Sequence, residues 1–285
     1  MYSISYWANN LSILIGVMVG GWFFQSHLFY LLIGLFLLSL FTTWLTIRMI
    51  SETLVQSTAS DLEKKTPGIA SVFKNYGKVI SDRRFVLFTL GGIALMTVEF
   101  QRNNFVSVRL SEELHQQTIN LFNLTTITLD GIKILSILTA VNTIMIVLFT
   151  APIAKWISNR PKKKIMYSGF LLFSTGYAVT AFSNQLVILF LASVIFSIGE
   201  LLYVPSRQTI LAEIIDDSKR GAYVAFNGII FQAGKILASL SLMISPILGK
   251  YGMAALLIFC GIFAVLLTRA ALLNRTAVSV LSDSQ

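Results

Sequence analysis

The sequence predicts an all-α polytopic membrane protein, and two of its properties carry that prediction. Hydrophobic residues make up 55% of the 285 positions and charged residues only 12%, with a mean hydropathy of +0.75. Soluble domains are about one quarter charged. The apolar residues also lie in continuous runs, each close to the ~20 residues that a helix needs to cross a bilayer. These runs do not alternate between apolar and polar residues as barrel strands do, so we expect helices.

Eight runs are long enough to be transmembrane helices. They cover residues 5–24, 28–50, 85–108, 131–153, 165–182, 186–203, 221–248 and 253–273. The chain then has two helices in residues 1–50, a cytoplasmic linker in 51–84, six helices in 85–273 and a cytoplasmic tail in 274–285. In the linker, Phe73, Tyr76 and Ile80 can share one helical face. That spacing predicts a short amphipathic helix on the membrane surface, and a solvated linker is the alternative.

The basic residues predict the orientation of these helices. They are concentrated in the second, fourth and sixth connections and are sparse in the first, fifth and seventh. The largest group is Arg48, Lys64, Lys65, Lys74, Lys78, Arg83 and Arg84. Because cytoplasmic loops carry an excess of Lys and Arg, we expect both termini in the cytoplasm. The net charge of +9 then belongs to these loops, which favours the lipid bilayer over nucleic acid as a partner.

Glu200 is the residue that most strongly suggests a function. It lies inside the apolar run 186–203, between Ile198 and Leu201. A charge at the centre of a membrane helix costs roughly 2.5–3.5 kcal/mol on insertion scales and is usually retained for function. A buried carboxylate can take up and release a proton, and it can bind a cationic substrate. The structural alternative is a Glu that hydrogen-bonds to a neighbouring helix.

Two further spans carry polar residues that are candidates for proton coupling or substrate binding. In the third span, Glu99 and Asn103 are four residues apart and share an α-helical face, and Glu99 and Arg102 can pair. A position at the outer membrane interface is the alternative for these three. In the seventh span, Gln232 and Lys235 are three residues apart, and Lys235 can pair with a carboxylate such as Glu200.

Several kinds of site are missing from the sequence pattern. It has no P-loop, zinc-ligand set or nucleophile triad, and His27 and His115 stand apart from other ligand residues. We therefore expect neither an enzyme nor a cofactor or metal centre. The single Cys260 excludes an internal disulfide. The step Gly16, Gly20 and Gly21 predicts close helix packing rather than chemistry.

A short internal repeat and two longer stretches resemble a known transporter family. Tyr6-Trp7-Ala8-Asn9-Asn10 and Tyr223-Val224-Ala225-Phe226-Asn227 both follow the pattern Y-x-A-x-N. The first of these, with its following glycines, resembles the fifth helix of the major facilitator superfamily, and residues 221–246 resemble the eleventh. The run 198–206, IGELLYVPS, is similar to the tenth helix of the proton-coupled efflux branch typified by LmrP-like multidrug transporters.

The resemblance implies a partial form of that fold. The eight spans correspond to helices five to twelve, which are the last two helices of the N-terminal half and all six of the C-terminal half. The first four helices are absent, so the resemblance implies an N-terminally truncated chain that either works with a missing N-terminal fragment as a partner or is a truncated product. Ser5 and Asn103 stand where drug exporters of the family have acids, and Glu99 is one turn from Asn103.

The function that the resemblance implies is proton-coupled efflux of lipophilic or cationic drugs across the cell membrane. Protons and a small-molecule substrate are its partners, and the two halves alternate in access to the two sides. A non-transporting truncated protein or assembly subunit is an alternative of a different class. A facilitator that exports sugars or other small solutes is a second alternative.

Overall fold

A computed structural model shows that the protein is built from long helices. It describes residues 4–13, 15–16, 27–49, 77, 79–114, 117–121, 125–215 and 220–282, with the backbone alone at 117–121, 125–129 and 274–282. The predicted surface helix falls mostly outside these residues. The division of the chain at residues 50, 84 and 273 remains a prediction.

The helices follow the predicted spans closely. After a helical segment at residues 4–13, the elements are α1 (Leu28–Met49), α2 (Arg83–Phe100), a π-helix (Arg102–Val106), α3 (Ser107–Glu113), β1 (Gln117–Leu121), β2 (Thr125–Leu129), α4 (Gly131–Ser158), α5 (Lys162–Phe182), α6 (Leu186–Ile214), α7 (Arg220–Asn227) and α8 (Ile229–Ser282). The two strands form an antiparallel hairpin in the third connection.

The predicted fold class is confirmed. In the described part of the chain, six helices are long and apolar enough to cross a membrane. They are Leu28–Met49, Arg83–Glu113, Gly131–Ser158, Lys162–Phe182, Leu186–Ile214 and Arg220–Leu273. The last of these contains two of the predicted spans, and the first predicted span, 5–24, is described only in part. The protein is therefore an all-α polytopic membrane protein.

The bend that separates those last two spans lies at Gly249. Its backbone has φ 62° and ψ −178°, a conformation that is available essentially only to glycine. Helical geometry resumes at once, so α8 has a first arm before Gly249 and a second arm after it. The two spans are joined without a loop.

Helix α6 extends past Tyr203, where the prediction ends the corresponding span, to Ile214. Pro205 lies inside it and cannot donate a backbone hydrogen bond. Two hydroxyl groups add hydrogen bonds around this point: Ser206 Oγ donates to the Leu202 carbonyl at 2.8 Å, and Thr209 Oγ1 donates to the Pro205 carbonyl at 2.9 Å. Membrane helices tolerate proline through such contacts.

The chain divides into two compact units, residues 11–73 and residues 1–10 with 74–285. In the first unit, α1 is strongly apolar and has no buried residue. In the second, α5 and α6 pack through glycines: a Cβ at Gly199 would lie 2.8 Å from Phe173 Cα, and one at Gly169 would lie 2.8 Å from Tyr203 Cβ. Such contacts bring two helix backbones together, as small residues do in membranes.

An ion cluster ties several elements together at the hairpin end of the second unit. We call Arg109, Glu113, Asn184 and Lys250 the hairpin-end cluster. Arg109 is buried and donates to the Thr180 and Ser183 carbonyls at 2.9 and 2.8 Å, to Glu113 at 3.1 Å and to Asn184. Asn184 donates to Glu113 at 2.8 Å, and Lys250 lies 3.5 Å from the same carboxylate. The cluster joins α3, the α5–α6 turn and the second arm of α8.

Candidate functional site

Glu200 lies in the middle of α6 and is buried, with 9% of its surface exposed. Two neutral side chains bind its two oxygens. The Tyr6 hydroxyl donates to Oε1 at 2.6 Å, and Asn142 Nδ2 donates to Oε2 at 2.9 Å. Tyr6 comes from the N-terminal helical segment and Asn142 from α4. We call these three residues, with Ser197, Glu99 and Arg102, the Glu200 cluster.

Asn142 connects the carboxylate to a cation. Its Nδ2 donates to Ser197 Oγ at 3.0 Å as well as to Glu200, while its Oδ1 accepts from Arg102 Nη1 at 3.3 Å. A guanidinium only donates and a carboxylate only accepts. The amide therefore has one orientation that satisfies both neighbours, with its oxygen toward Arg102 and its nitrogen toward Glu200.

The remaining neighbours of Glu200 include a second carboxylate. Glu99, on α2, interacts electrostatically with Glu200 and with Arg102. Tyr177, on α5, and Tyr203, one turn from Glu200 on α6, face the same charges. The structure therefore brings together Glu99, Arg102 and Glu200, three of the residues that the sequence predicts.

Asn103 does not join them, because the helix changes type at this point. The backbone from Arg102 to Val106 is π-helical. A π-helix has more residues per turn than an α-helix, and such segments occur frequently at functional sites. The four-residue spacing that places Glu99 and Asn103 on one α-helical face no longer applies beyond Phe100. Asn103 is exposed, whereas Arg102 reaches Asn142.

The structure also places Lys235 and Gln232 apart from Glu200. Both are exposed on the first arm of α8. Lys235 Nζ lies 5.5 Å from the centre of the Phe100 ring, a distance that allows a cation–π contact. In the described part of the chain, Glu200 thus has Tyr6 and Asn142 as partners instead of Lys235. Lys235 lies over a ring of α2 instead, and the sequence spacing does not contain this choice of neighbour.

The predicted packing glycines are described only at Gly16. A Cβ added there would meet no heavy atom within 4 Å of the described structure. Gly20 and Gly21 lie outside the described residues. The described residues contain no group of three His, Cys, Asp or Glu side chains that could hold a metal ion.

Three residues of the cluster are not predicted from the sequence: Tyr6, Asn142 and Ser197. The repeat Y-x-A-x-N marks Tyr6 as unusual but does not indicate its role. Asn142 has a signal of its own, since an amide in the apolar run 131–153 needs a hydrogen-bonding partner. Neither signal identifies Glu200 as that partner, because 194 and 58 residues separate the pairs.

Comparison with known proteins identifies the family. The model of the Major Facilitator Superfamily matches residues 103–282, which is more than half of the chain. The chain belongs to the Major Facilitator Superfamily. A curated relative from Planococcus maritimus, named a Na(+), Li(+), K(+)/H(+) antiporter, is 28% identical over 274 residues. That match includes 93% of this chain and 63% of the relative, so the chain spans less than two thirds of the relative's length.

Solved structures support the superfamily fold. A POT family transporter in complex with 5-aminolevulinic acid has a TM-score of 0.54 and 17% identity, over 87% of this chain and 54% of that one. A POT family transporter in complex with a thioalcohol-conjugated peptide has a TM-score of 0.55 and 16% identity, over 94% and 55%. At these identities the likeness shows the fold alone. The superfamily is one of transporters, which agrees with the prediction that the protein is not an enzyme.

Proposed function

We propose that this chain is part of a proton-coupled antiporter in which Glu200 binds a proton and a cationic substrate in alternation. One observation carries the proposal: a buried carboxylate is held by two neutral donors, Tyr6 and Asn142, instead of by a salt bridge to any of the described residues. Neutral donors stabilise the ionised form without cancelling its charge. The carboxylate can therefore bind H⁺ or another cation, which is the exchange that antiport requires.

Lipophilic organic cations are the cargo that the sequence resemblance favours. The surroundings of Glu200 are consistent with them, because the Tyr6 phenol binds the carboxylate and the phenols of Tyr177 and Tyr203 interact with it electrostatically. Aromatic faces attract organic cations, and a carboxylate adds the compensating charge. Drug efflux is therefore our first proposal for the substrate class.

Monovalent metal cations are the second candidate, and the printed activity of the Planococcus maritimus relative favours them. The Glu200 carboxylate and the Ser197 hydroxyl both bind the same Asn142 amide nitrogen, so their oxygen atoms lie close together, and oxygen ligands suit hard cations. The two cargoes differ in what releases the proton: a lipophilic dye in one case, and Na⁺, Li⁺ or K⁺ in the other.

The test uses the full chain in lipid vesicles that contain a pH-sensitive dye and carry an acid load. Addition of a fluorescent organic cation or of Na⁺, Li⁺ or K⁺ should release protons from the vesicles, and Glu200→Gln should abolish the release. Equal release by both proteins would remove Glu200 from the mechanism. No release with any cation would favour the non-transporting alternative, and release only with a neutral sugar would favour a sugar facilitator.

A partner fragment enters the proposal because of the length of the chain. We expect the N-terminal third of the Planococcus maritimus relative, co-expressed with this chain, to raise proton release above that of the chain alone. In the matched control, the same fragment is co-expressed with the Glu200→Gln variant of this chain. Equal release with and without the fragment would show that the chain needs no such partner.

We further propose that the protein lies in the cytoplasmic membrane with both termini inside. The support is the distribution of Lys and Arg between connections. Alkaline phosphatase or green fluorescent protein fused after Gln285 tests the C-terminal side. Fluorescence without phosphatase activity is expected, and the opposite result would invert the topology.

A further inference from the structure

We propose that Tyr6 transmits the protonation state of Glu200 to the N-terminal helical segment. This inference rests on the proposed function, because it takes Glu200 as the group that binds the proton. It assigns to Tyr6 a positioning role: the phenol holds the segment against α6 when Glu200 is ionised, and holds it less tightly when Glu200 is protonated.

Two hydrogen bonds attach the segment to the helices that carry the site. The Tyr6 hydroxyl donates to Glu200 Oε1 on α6 at 2.6 Å, and Trp7 Nε1 donates to the Val147 carbonyl on α4 at 2.7 Å. The Trp7 bond ends on a backbone carbonyl, whose charge does not change. Of these two attachments, only the Tyr6 bond ends on a group that can gain or lose a charge.

The geometry of Asn142 indicates which carboxylate oxygen takes the proton. Asn142 Nδ2 donates to Oε2, and an amide nitrogen cannot accept a hydrogen bond. Arg102 holds Oδ1 of the same amide, so the group cannot turn its oxygen toward Glu200 without losing that bond. A hydroxyl group, in contrast, both donates and accepts. A proton from solvent is therefore best accommodated on Oε1, opposite Tyr6.

Protonation of Oε1 changes the bond that Tyr6 makes. With Glu200 ionised, Tyr6 donates to a charged acceptor. With Oε1 protonated, the acid donates to the phenol oxygen, and Tyr6 keeps its own proton and becomes the acceptor. Hydrogen bonds to charged groups are roughly twice as strong as neutral ones. The attachment of the segment to α6 should therefore weaken when Glu200 binds a proton.

The other groups around Glu200 affect how readily it binds a proton, but they do not attach the N-terminal segment as Tyr6 does. Glu99 from α2 and Arg102 from the π-helix act on it with opposite signs, and Tyr177 from α5 and Tyr203 from α6 face it as neutral phenols. All four lie on α2, the π-helix, α5 or α6, and none lies on the N-terminal segment. Tyr6 is the phenol among these neighbours that lies on the N-terminal segment.

The experiment measures the segment and the carboxyl group separately. In a Cys260→Ser background, spin labels at Ser5→Cys and Leu171→Cys report the distance from the segment to α5 by electron–electron double resonance; both positions are exposed. Between mildly alkaline and acidic buffer, the ratio of two distance populations should change about fivefold. Infrared difference spectra over the same buffers should show a protonated-carboxyl band that Glu200→Gln removes.

Tyr6→Phe is the deciding variant, because it deletes one oxygen and retains the ring. It should keep the carboxyl band and abolish the acid-dependent distance change. Tyr223→Phe is the matched control: its hydroxyl donates to Asp82 Oδ2 at 3.0 Å, and the substitution should leave the Ser5–Leu171 response intact. A Tyr6→Phe protein that retains the distance change would overturn this inference and leave the proposed function standing. Absence of the carboxyl band in the unsubstituted chain would overturn both.

Discussion

Two glutamates in this chain, Glu200 and Glu113, lie in polar clusters that differ in the charge of their hydrogen-bonding partners. Glu113 is surrounded by two cations, Arg109 and Lys250, and by the amide of Asn184. Glu200 is bound by a phenol and an amide, with a second acid, Glu99, nearby. The charge of Glu113 is compensated by its own cluster, so it holds helix ends together. Glu200 has no cation bonded directly to its carboxylate among the described residues, and this is why we propose that it exchanges its partner.

The comparison predicts that neutralising the two glutamates has different consequences. Glu200→Gln should reduce proton-driven transport at least about tenfold, because the amide cannot take up a proton at neutral pH. Glu113→Gln should reduce transport much less and should instead lower thermal stability. The measurement is the initial rate of proton release from acid-loaded vesicles, normalised to the amount of inserted protein. Similar losses of transport in both variants would remove the distinction between the clusters.

The next largest effect is expected at the centre of the hairpin-end cluster. Arg109→Met leaves the Glu113 carboxylate and the Thr180 and Ser183 carbonyls without their shared donor. Because Glu113 is partly exposed, the cost comes mainly from the two buried carbonyls, and a buried acceptor left without its donor costs about 1–3 kcal/mol. Denaturant titration in detergent micelles should show a fall of about 3 kcal/mol in the free energy of unfolding. A change below about 1 kcal/mol, the range of an exposed pair, would mean that Arg109 does not hold the helix ends.

A smaller effect is expected beside Glu200, where packing can be changed without changing the polar groups. The Cβ of Gly199→Ala would lie 2.8 Å from Phe173 Cα, so α5 and α6 must separate. Overpacking of this kind costs about 1–3 kcal/mol. The variant should unfold at lower denaturant concentration while its carboxyl infrared band persists. Loss of that band would show that the donors to Glu200 depend on this helix contact.

The smallest effect is expected at the exposed edge of the hairpin-end cluster. Lys250 Nζ lies 3.5 Å from Glu113, and 36% of its side chain is exposed. Lys250→Met should therefore lower the free energy of unfolding by less than about 1 kcal/mol, and added salt should reduce the difference. A loss as large as that of Arg109→Met, unaffected by salt, would place Lys250 at the centre of the cluster.

The sequence predicts the fold well because each span is a local property of about 20 residues. Glu200 is predicted for the same reason, since one carboxylate in an apolar run is visible without any tertiary information. The partners of Glu200 are not local. Tyr6 and Asn142 meet it only because three separate helices pack together. Lys235, on a fourth helix, lies beside Phe100 instead.

The π-helix is a second reason why the site is only partly predicted. An α-helical spacing rule places Asn103 beside Glu99, but the helix type changes at Arg102. Residues beyond that point are displaced around the axis relative to an α-helix. A polar pattern at four-residue spacing does not contain this change. The sequence names Glu99, Arg102 and Asn103 together as candidates, and the structure places the first two near Glu200 and leaves Asn103 exposed.

The bend at Gly249 has a practical consequence for labelling this protein. A Cβ at this position would meet no atom within 4 Å, so space alone would permit a larger side chain, but the backbone conformation does not. Proteases and inserted epitopes require exposed, extensible chain. Helix runs up to Gly249 and continues after it, so the junction between the arms of α8 offers no extended chain, whereas the connection from residue 115 to residue 130 is longer. Tags for mapping the sides of the membrane therefore belong in that connection.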